Sequence, residues 1–354
     1  MPSMADIQTP FSRRTLLFAG GGVAAAIAAG GLTWARDSEV AEPGAAERTG
    51  PPPMAGEFDI RSGTELLAPT QLFNATGPQS FAFDDTNGLI YTLQTLQAAI
   101  HLSDEQEPVA AADRKRAGDM CLTRLTSTGE IIGYMYLRGF GHGISFGVEP
   151  VGKRTYLWVE GSADPRTGYG RSVARTLFKT GTTLDSSDPA VTHFDPVPGA
   201  SDVTPSLDLA GGRVLVSHER DDEQKFAVYQ MEDFLAGRTE SARFINAGVQ
   251  VREEEWFQGC ALHGDFIYIL TGNPYTGKSG ANPQKSGGNT YISAIDVNTG
   301  KAQGRQRVTV APDLPYREPE GMAISLAGGR PGLCIGFSVK TRDYRELTLY
   351  RFTS

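Results

Sequence analysis

The chain has 354 residues, with 41 acidic and 33 basic side chains and a formal net charge of −8. An acidic surface is repelled by phosphate backbones, which excludes general nucleic-acid binding and predicts no nucleic-acid partner. The sequence contains no CxxC pair and no HxxxH spacing, so it supports no zinc site, and we expect neither a metal nor a cofactor.

The first residues have the features of an export signal. Arg13 and Arg14 precede a Gly/Ala-rich apolar run that ends near Trp34, which is typical of a twin-arginine signal peptide. The run is also just long enough to span a bilayer, but its glycines and mild hydropathy favour cleavage. We therefore expect residues 1–35 to be removed, leaving a protein that is secreted or cell-wall associated, with no stable membrane anchor.

The segment after the predicted signal peptide is rich in Pro, Gly, Ala and Glu. Such a composition cannot bury a core, so residues 36–56 are predicted to form a disordered linker. The remaining residues, 57–354, are predicted to form one domain, which we expect to be a monomer.

Five short stretches resemble one another at intervals of about sixty residues. Each begins with a polar residue and a small or flexible one, continues as an apolar strand, and turns tightly into a second strand. A period of this length, built from short strands, indicates propeller blades rather than a helical solenoid. The stretches begin at Gln79, His142, Thr204, Gln258 and Glu320.

Each repeat contains four predicted strands, and the two ends of the domain supply parts of one blade. Segment 347–352 is a third strand with nothing after it, and segment 69–73 lies where a fourth strand precedes the other repeats. Pairing these two segments would remove two exposed sheet edges. The sequence therefore predicts an all-β fold, a five-bladed β-propeller closed by an N-terminal strand that completes the last blade.

The three cysteines fall in predicted strands of different repeats. We interpret Cys121, Cys260 and Cys334 as buried small hydrophobic residues. An intermolecular pair, or one disulfide with a spare thiol, is the alternative that an odd number leaves open.

The residues that open the innermost strands of a propeller converge on one mouth of the central channel. Convergent polar groups with aromatic neighbours indicate a ligand site, although the same groups can instead satisfy backbone atoms in a narrow channel. Ligand-binding roles are predicted for Gln79, Gln258, Trp256, Tyr316 and Glu318, with Asp202 or Thr204 completing the ring. Catalytic roles, if the protein is an enzyme, are predicted for His142, Glu320 and Arg317.

Two long polar loops, 161–171 and 272–289, are expected to carry specificity, as such loops on a rigid scaffold usually do. The acidic run of Glu253, Glu254 and Glu255 is interpreted as a solvated loop. Trp158, in a second strand, is interpreted as packing between blades.

Four groups of residues carry a resemblance to a known family. They are Pro78–Phe81 with Ile90 and Tyr91, Gly141–Gly143 with Glu149 and Tyr156–Trp158, Phe257–Gly259, and Glu318–Met322. Together they resemble the propeller shared by receptor-binding proteins of staphylococcal phages and by TagC-type proteins of teichoic acid biosynthesis. The resemblance spans most of residues 64–354. It implies a five-bladed propeller associated with wall teichoic acid or a related surface glycopolymer, and it transfers no catalytic residues.

Two functions from different classes follow. The first is a binding module that recognises a carbohydrate or glycopolymer of a cell surface at the channel mouth, with aromatic rings stacking on sugars. In that case Arg317, Arg252 or Lys340 would pair with phosphate or carboxylate groups. The second is a polysaccharide lyase or glycoside hydrolase that uses His142 and Glu320 with Arg317. Binding is the favoured prediction, and the sequence leaves open whether the protein is an enzyme.

Overall fold

The computed structural model describes residues 56–98, 100–246, 251–252, 254–277, 280–342 and 344–354. The predicted signal peptide, and the predicted linker except for Gly56, lie outside the described residues. Within the described part of the chain, no helix is both long and apolar enough to cross a membrane.

The fold is a five-bladed β-propeller, which confirms the predicted fold class. Five antiparallel sheets each begin with an inner strand and continue outward. Blade 1 contains β2 (Pro78–Asp84), β3 (Leu89–Thr95), β4 (Met120–Thr126) and β5 (Ile131–Arg138). Blade 2 contains β6 (Gly147–Val151), β7 (Arg154–Gly161), β8 (Ser172–Leu177) and β10 (Thr192–Phe194). An additional strand, β9 (Thr182–Asp185), pairs in parallel with β5 on the outside of blade 1.

Blade 3 contains β11 (Ser201–Asp208), β12 (Arg213–Arg220), β13 (Glu223–Gln230) and β14 (Arg243–Asn246). Blade 4 contains β15 (Phe257–His263), β16 (Phe266–Thr271), β17 (Tyr291–Asp296) and β18 (Ala302–Arg307). Blade 5 contains β19 (Glu318–Ser325), β20 (Gly332–Lys340), β21 (Arg345–Phe352) and β1 (Thr64–Gln71). Two short helices, α1 (Ala111–Ala117) and α2 (Met231–Leu235), lie in the connections, as do 3-10 turns at Thr239–Ser241, Gln284–Ser286 and Ala327–Gly329.

Strand β1 pairs antiparallel with β21, so the N-terminal strand is the outermost strand of the last blade. It ends at Gln71, whereas the sequence suggested a strand over 69–73. The inner strand β19 also packs beside β2, so that the last blade contacts the first.

Local sequence accounts for the hairpins. Between β12 and β13, Arg220 pairs with Glu223, which leaves a two-residue loop. Both loop residues, Asp221 and Asp222, have positive φ (58° and 59°). This is the type I′ geometry that matches strand twist, and aspartate tolerates it better than most residues.

The core lies in the seams between blades. One seam, between blades 4 and 5, includes residues from ahead of the first strand: Phe58 and Ile60 are 1% and 0% exposed. The Phe58 ring contacts Tyr268 edge-on, with centroids 5.2 Å apart. Trp158 is fully buried; its ring stacks on Phe194 of blade 2 and lies 5.6 Å from the Phe234 ring, which follows β13 of blade 3. Its interpretation as packing between blades is confirmed.

All three cysteines are buried and free, which confirms their interpretation as small hydrophobic residues. Burial raises the pKa of Cys121 and of Cys260 to about 12. Both thiols are therefore protonated at neutral pH and unreactive.

Candidate functional site

The inner strands β2, β6, β11, β15 and β19 all begin at one face of the propeller, which we call the strand-start face. The prediction that His142 opens an inner strand is wrong, because β6 begins only at Gly147. Residues 139–146 instead form an irregular segment, which we call the plug segment. Gly143 within it has a φ of 80°, a conformation that favours glycine and does not continue a strand.

The plug segment reaches across the central channel. All of its residues after the first are buried. On one side, Ser80 Oγ of blade 1 donates to the carbonyl oxygen of Gly143. On another, Ser145 Oγ donates to the carbonyl oxygen of Cys260 in blade 4, at 3.1 Å. The segment is therefore tied to blades on different sides of the channel.

Glu160, at the end of β7, fixes the plug segment to blades 2 and 3. Its carboxylate is fully buried and accepts hydrogen bonds from the backbone N–H groups of His142 (2.8 Å), Gly143 (2.8 Å) and Gly170 (2.9 Å). The hydroxyl of Thr204 donates to it as well, at 2.8 Å. A buried carboxylate is stable only when hydrogen bonds replace its hydration, as they do here.

The predicted ring residues lie near this face but are largely buried. His142, Gln258 and Glu320 are 5%, 0% and 2% exposed. The His142 ring packs against Tyr169, with centroids 4.7 Å apart, and Gln258 Nε2 donates to the carbonyl oxygen of Gly272. Gln79 is half-buried, and its Nε2 donates to the carbonyl oxygen of the preceding residue. These contacts favour the alternative that ring residues satisfy backbone groups.

Arg317 contacts the protein rather than open solvent. It is 1% exposed, and its guanidinium donates to the backbone carbonyls of Val308 (3.2 Å), Val310 (2.8 Å) and Ala311 (3.1 Å). Burial lowers the pKa of the guanidinium from its usual value. Its donors are thus used to hold the segment between blades 4 and 5, and a catalytic role stays a prediction without geometric support.

Tyr316 and Glu318 do come together, with Arg345 beside them. The Arg345 guanidinium lies 3.7 Å from the centre of the Tyr316 ring, and its Nη1 lies 3.8 Å from Glu318 Oε2. Burial, reinforced by the Glu318 carboxylate, raises the pKa of Tyr316 to about 12. Tyr316 has a φ of 71°, which is strained backbone of the kind found at functional positions.

Trp256 lines a cavity of about 360 Å³ on the strand-start side of blade 4. The indole is held in place by the Asn273 side chain. In the amide orientation that matches donors with acceptors, the Asn273 oxygen accepts from Trp256 Nε1 (3.3 Å) and its nitrogen donates to the carbonyl oxygen of Glu254 (2.9 Å). Other lining residues are Arg252, Asn282, Asn289 and Tyr291. Loop 272–289, expected to carry specificity, supplies the asparagines.

Glu255 contradicts the interpretation of the acidic run as a solvated loop, whereas Glu254 is exposed and Glu253 lies outside the described residues. Glu255 is 6% exposed, accepts a hydrogen bond from Thr271 Oγ1 (2.8 Å), and forms a bidentate ion pair with Arg305. The Arg305 guanidinium in turn lies 4.1 Å from the centre of the Tyr291 ring. One feature of the sequence could have indicated that Glu255 is buried: it directly precedes Trp256, just before the inner strand β15.

Asp202 marks a second acidic position on this face. It has a φ of 53° at the start of β11. Burial, together with the neighbouring carboxylates of Glu219, Glu160 and Asp164, raises the pKa of Asp202 to about 7. Among the described residues, no group of three or more His, Cys, Asp or Glu side chains has the arrangement of a metal site.

Comparison with known proteins finds a bacterial relative by sequence and a phage tail fiber by structure. A relative from Bacillus subtilis (strain 168), provisionally named major teichoic acid biosynthesis protein C, is 24% identical over 310 residues, which is 84% of this chain. The tail fiber of Staphylococcus aureus phage P68 superposes with a TM-score of 0.61 at 17% identity over 83% of this chain, a likeness of fold. The chain spans only 64% of the relative's length and 53% of the tail fiber.

A family model, described as the phage five-bladed beta propeller receptor binding platform domain, matches residues 78–351. This range begins with β2, the inner strand of blade 1, and ends in β21, the third strand of blade 5, so it includes every blade strand except β1. The chain therefore belongs to the family of phage five-bladed β-propeller receptor-binding platform domains.

Proposed function

We propose that the protein recognises a teichoic-acid-like glycopolymer of a bacterial cell surface, by binding it on the strand-start face. Two findings support this proposal. The family is described as a receptor-binding platform, and the Bacillus subtilis relative is named for teichoic acid biosynthesis. A rigid ring with variable loops on one face is a common design for recognition.

The observation that carries the proposal is the cavity beside Trp256. It combines a half-buried aromatic ring with several amide side chains, the pattern of small-molecule sites that fix a ligand by a few polar groups. The indole is already hydrogen-bonded in place, so little ordering would accompany ligand binding.

The contacts of the predicted catalytic residues favour binding over catalysis. A lyase needs its base and its cation beside the same substrate carboxylate. Here the ring of His142, a plug-segment residue, packs against Tyr169 of loop 161–171, and the Arg317 guanidinium donates to backbone carbonyls. Both groups are buried, so a polymer would have to displace protein contacts to reach them.

Export belongs to the same proposal. A protein that binds a surface polymer must leave the cytoplasm, and Arg13 and Arg14 before an apolar run support the twin-arginine route. Cleavage after residue 35 would release a monomeric propeller that starts near residue 57, preceded by a linker, to the cell wall or medium.

Sedimentation with cell walls tests the proposed function. Purified protein is mixed with walls that carry teichoic acid and with walls chemically stripped of it, and the pelleted fraction is measured. We expect retention only on intact walls, with no new reducing ends, unsaturated uronates or released phosphate in the supernatant. Equal retention on both walls would refute polymer recognition, and soluble products lost in His142→Ala would establish the enzyme instead.

A further inference from the structure

A second cavity lies on the face at which the inner strands end, which we call the strand-end face. Its volume is about 310 Å³, roughly twice the ~150 Å³ that holds a benzene ring in an apolar protein cavity. Residues at or just after the ends of inner strands form its mouth, among them Asp85, Pro150, Leu209 and Leu326. It therefore lies on the opposite side of the propeller from the cavity beside Trp256.

The walls of this cavity are apolar, and its deep end is closed. Ala82, Val148, Leu207 and Ala323 line it from blades 1, 2, 3 and 5. Phe146, the last residue of the plug segment, lines the deep end and is 2% exposed. Because the plug segment reaches across the channel, a ligand would enter from the strand-end face. A cavity with such walls holds an apolar group in preference to water.

Two turns at the mouth share one sequence. Leu-Ala-Gly-Gly-Arg occurs at 209–213, between β11 and β12, and again at 326–330, between β19 and β20. Leucine is unusual in such turns, where Gly, Asn, Asp and Ser dominate. Here both leucines line the cavity, although Leu209 is 38% exposed and Leu326 is half-buried. The apolar surface of the cavity thus continues to its rim.

The charges at the mouth favour a cationic ligand. Three of the described residues that line the cavity are acidic, and none of them is basic. Two of the three carboxylates are paired, Glu149 with Arg175 and Asp208 with Arg213. The third, Asp85, forms no ion pair among the described residues, so the mouth carries one negative charge that the protein does not offset.

Asp85 also has room for another donor. Its two oxygens accept hydrogen bonds from Ser325 Oγ (3.1 Å) and from the backbone N–H of Leu326 (2.6 Å), which are both neutral donors. An ionised carboxylate has about four acceptor positions, so two remain. The carboxylate is therefore held in place beside the apolar rim while it keeps the capacity to bind an ammonium group.

We propose that this cavity binds a small primary amine with a compact apolar body, which places its ammonium group beside Asp85. The apolar walls supply affinity, because burying apolar surface is the main favourable contribution to such binding. The carboxylate supplies the preference for a cation, and the net charge of −8 adds to it. This inference goes beyond the proposed function, since the protein would have a second ligand site that is separate from the polymer.

Three ligands with similar bodies and different charges test the inference. The full chain is titrated with 2-phenylethylamine, 2-phenylethanol and 3-phenylpropanoate at neutral pH, and binding is followed by saturation-transfer NMR. We expect the cationic amine to bind about threefold more tightly than the neutral alcohol, and the anionic carboxylate to bind most weakly. Raising sodium chloride from about 20 mM to about 500 mM should reduce the difference between amine and alcohol, since salt screens exposed charges.

Variants assign the binding to this cavity. Leu209→Ala removes part of the rim and should weaken the binding of all three ligands at least threefold. Leu235→Ala is the matched control, because Leu235 is 43% exposed on α2 of the same blade, and it should change nothing. Asp85→Asn keeps an oxygen for the backbone N–H of Leu326 but removes the charge. In that variant the amine should bind no more tightly than the alcohol, and alcohol binding should be unchanged.

Three results would overturn the inference. They are a failure of all three ligands to bind, a carboxylate that binds as tightly as the amine, and binding that is unchanged in Leu209→Ala. If Asp85→Asn also loses the alcohol, the turn at Leu326 has been disturbed, and the salt dependence of the wild-type protein then decides the role of the charge. A preference for the amine that salt does not reduce would refute that role.

Discussion

Replacing Glu160 by glutamine tests whether one buried carboxylate organises the strand-start face. The two side chains have the same shape, so packing changes little. Glutamine presents an NH2 group where one carboxylate oxygen stood, however, and donors cannot pair with donors. The better-bonded oxygen, which accepts from Gly143 and Thr204, would keep its role. The backbone N–H groups of His142 and Gly170 would then face the new NH2 group and lose their acceptor.

The expected loss in the free energy of unfolding follows from those two bonds. A hydrogen bond to a charged group contributes about 1.5–3 kcal/mol, so two of them amount to about 3–6 kcal/mol. Neutralising the side chain removes the cost of burying a charge, which returns part of that amount. We therefore expect Glu160→Gln to destabilise the protein by about 2–4 kcal/mol.

Urea unfolding at neutral pH measures the effect, with Glu130→Gln as the control because Glu130 is exposed. The control should change stability by less than about 0.5 kcal/mol. Hydrogen exchange gives a local readout: the amides of His142 and Gly170 should lose protection more than that of Gly143 or those of β16. A Glu160→Gln protein as stable as the control, with those amides still protected, would refute the role given to this carboxylate.

Three further substitutions have defined outcomes. The folded-state pKa of Asp202 is raised to about 7 from 3.8, so the folded protein keeps a proton that the unfolded chain releases, and stability falls as pH rises between these values. Asp202→Asn removes this titration; its melting temperature should exceed that of the wild type at pH 8 by more than at pH 5, and an equal difference at both values would contradict the assignment. Phe58→Ala should cost about 3–5 kcal/mol in urea unfolding, since the ring is 1% exposed, whereas an effect below about 1 kcal/mol would mean that the N-terminal segment does not stabilise the seam. Gly321→Ala places a Cβ 2.6 Å from Ser80 Cα at a φ of 76°, while Gly328 has a similar φ of 74° and open space around it. Melting temperatures should therefore fall further for Gly321→Ala than for Gly328→Ala. Equal losses would show that the backbone at Ser80 moves to make room for the added Cβ.

The fold could be predicted from the sequence because its signals are local and repeated. Each blade repeats a polar opening, an apolar strand and a turn, and the short tight turns follow from residues such as Asp221 and Asp222. Strand β9 could not be predicted, because it pairs in parallel with β5 of another blade. Such a pairing depends on where a connection passes in space, which a repeat pattern does not record.

The site was predicted less well, and the reason is physical. The repeat pattern correctly predicted that residues far apart in the chain lie near one face of the propeller. It could not show which of their side chains are exposed to solvent. Glu160 was missed because a glutamate at the end of a strand is usually solvated, whereas here four backbone N–H groups replace water. Arg317 was predicted to be catalytic from its position in a loop just before an inner strand, whereas its guanidinium bonds to local backbone carbonyls.

The buried plug segment restricts which surfaces of the strand-start face a ligand can contact. A ligand that entered the channel from the strand-start face would have to break the hydrogen bonds of Glu160 with His142 and Gly143, and that of Ser145 with Cys260. Each buried group left without a partner costs about 1–3 kcal/mol. A sugar bound at about 1 mM gains only about 4 kcal/mol, which such a loss would cancel. If the proposed recognition occurs on the strand-start face, it would therefore use the surrounding loops. Substitutions in loop 272–289 should then alter which polymer is bound, whereas substitutions in the plug segment should alter stability.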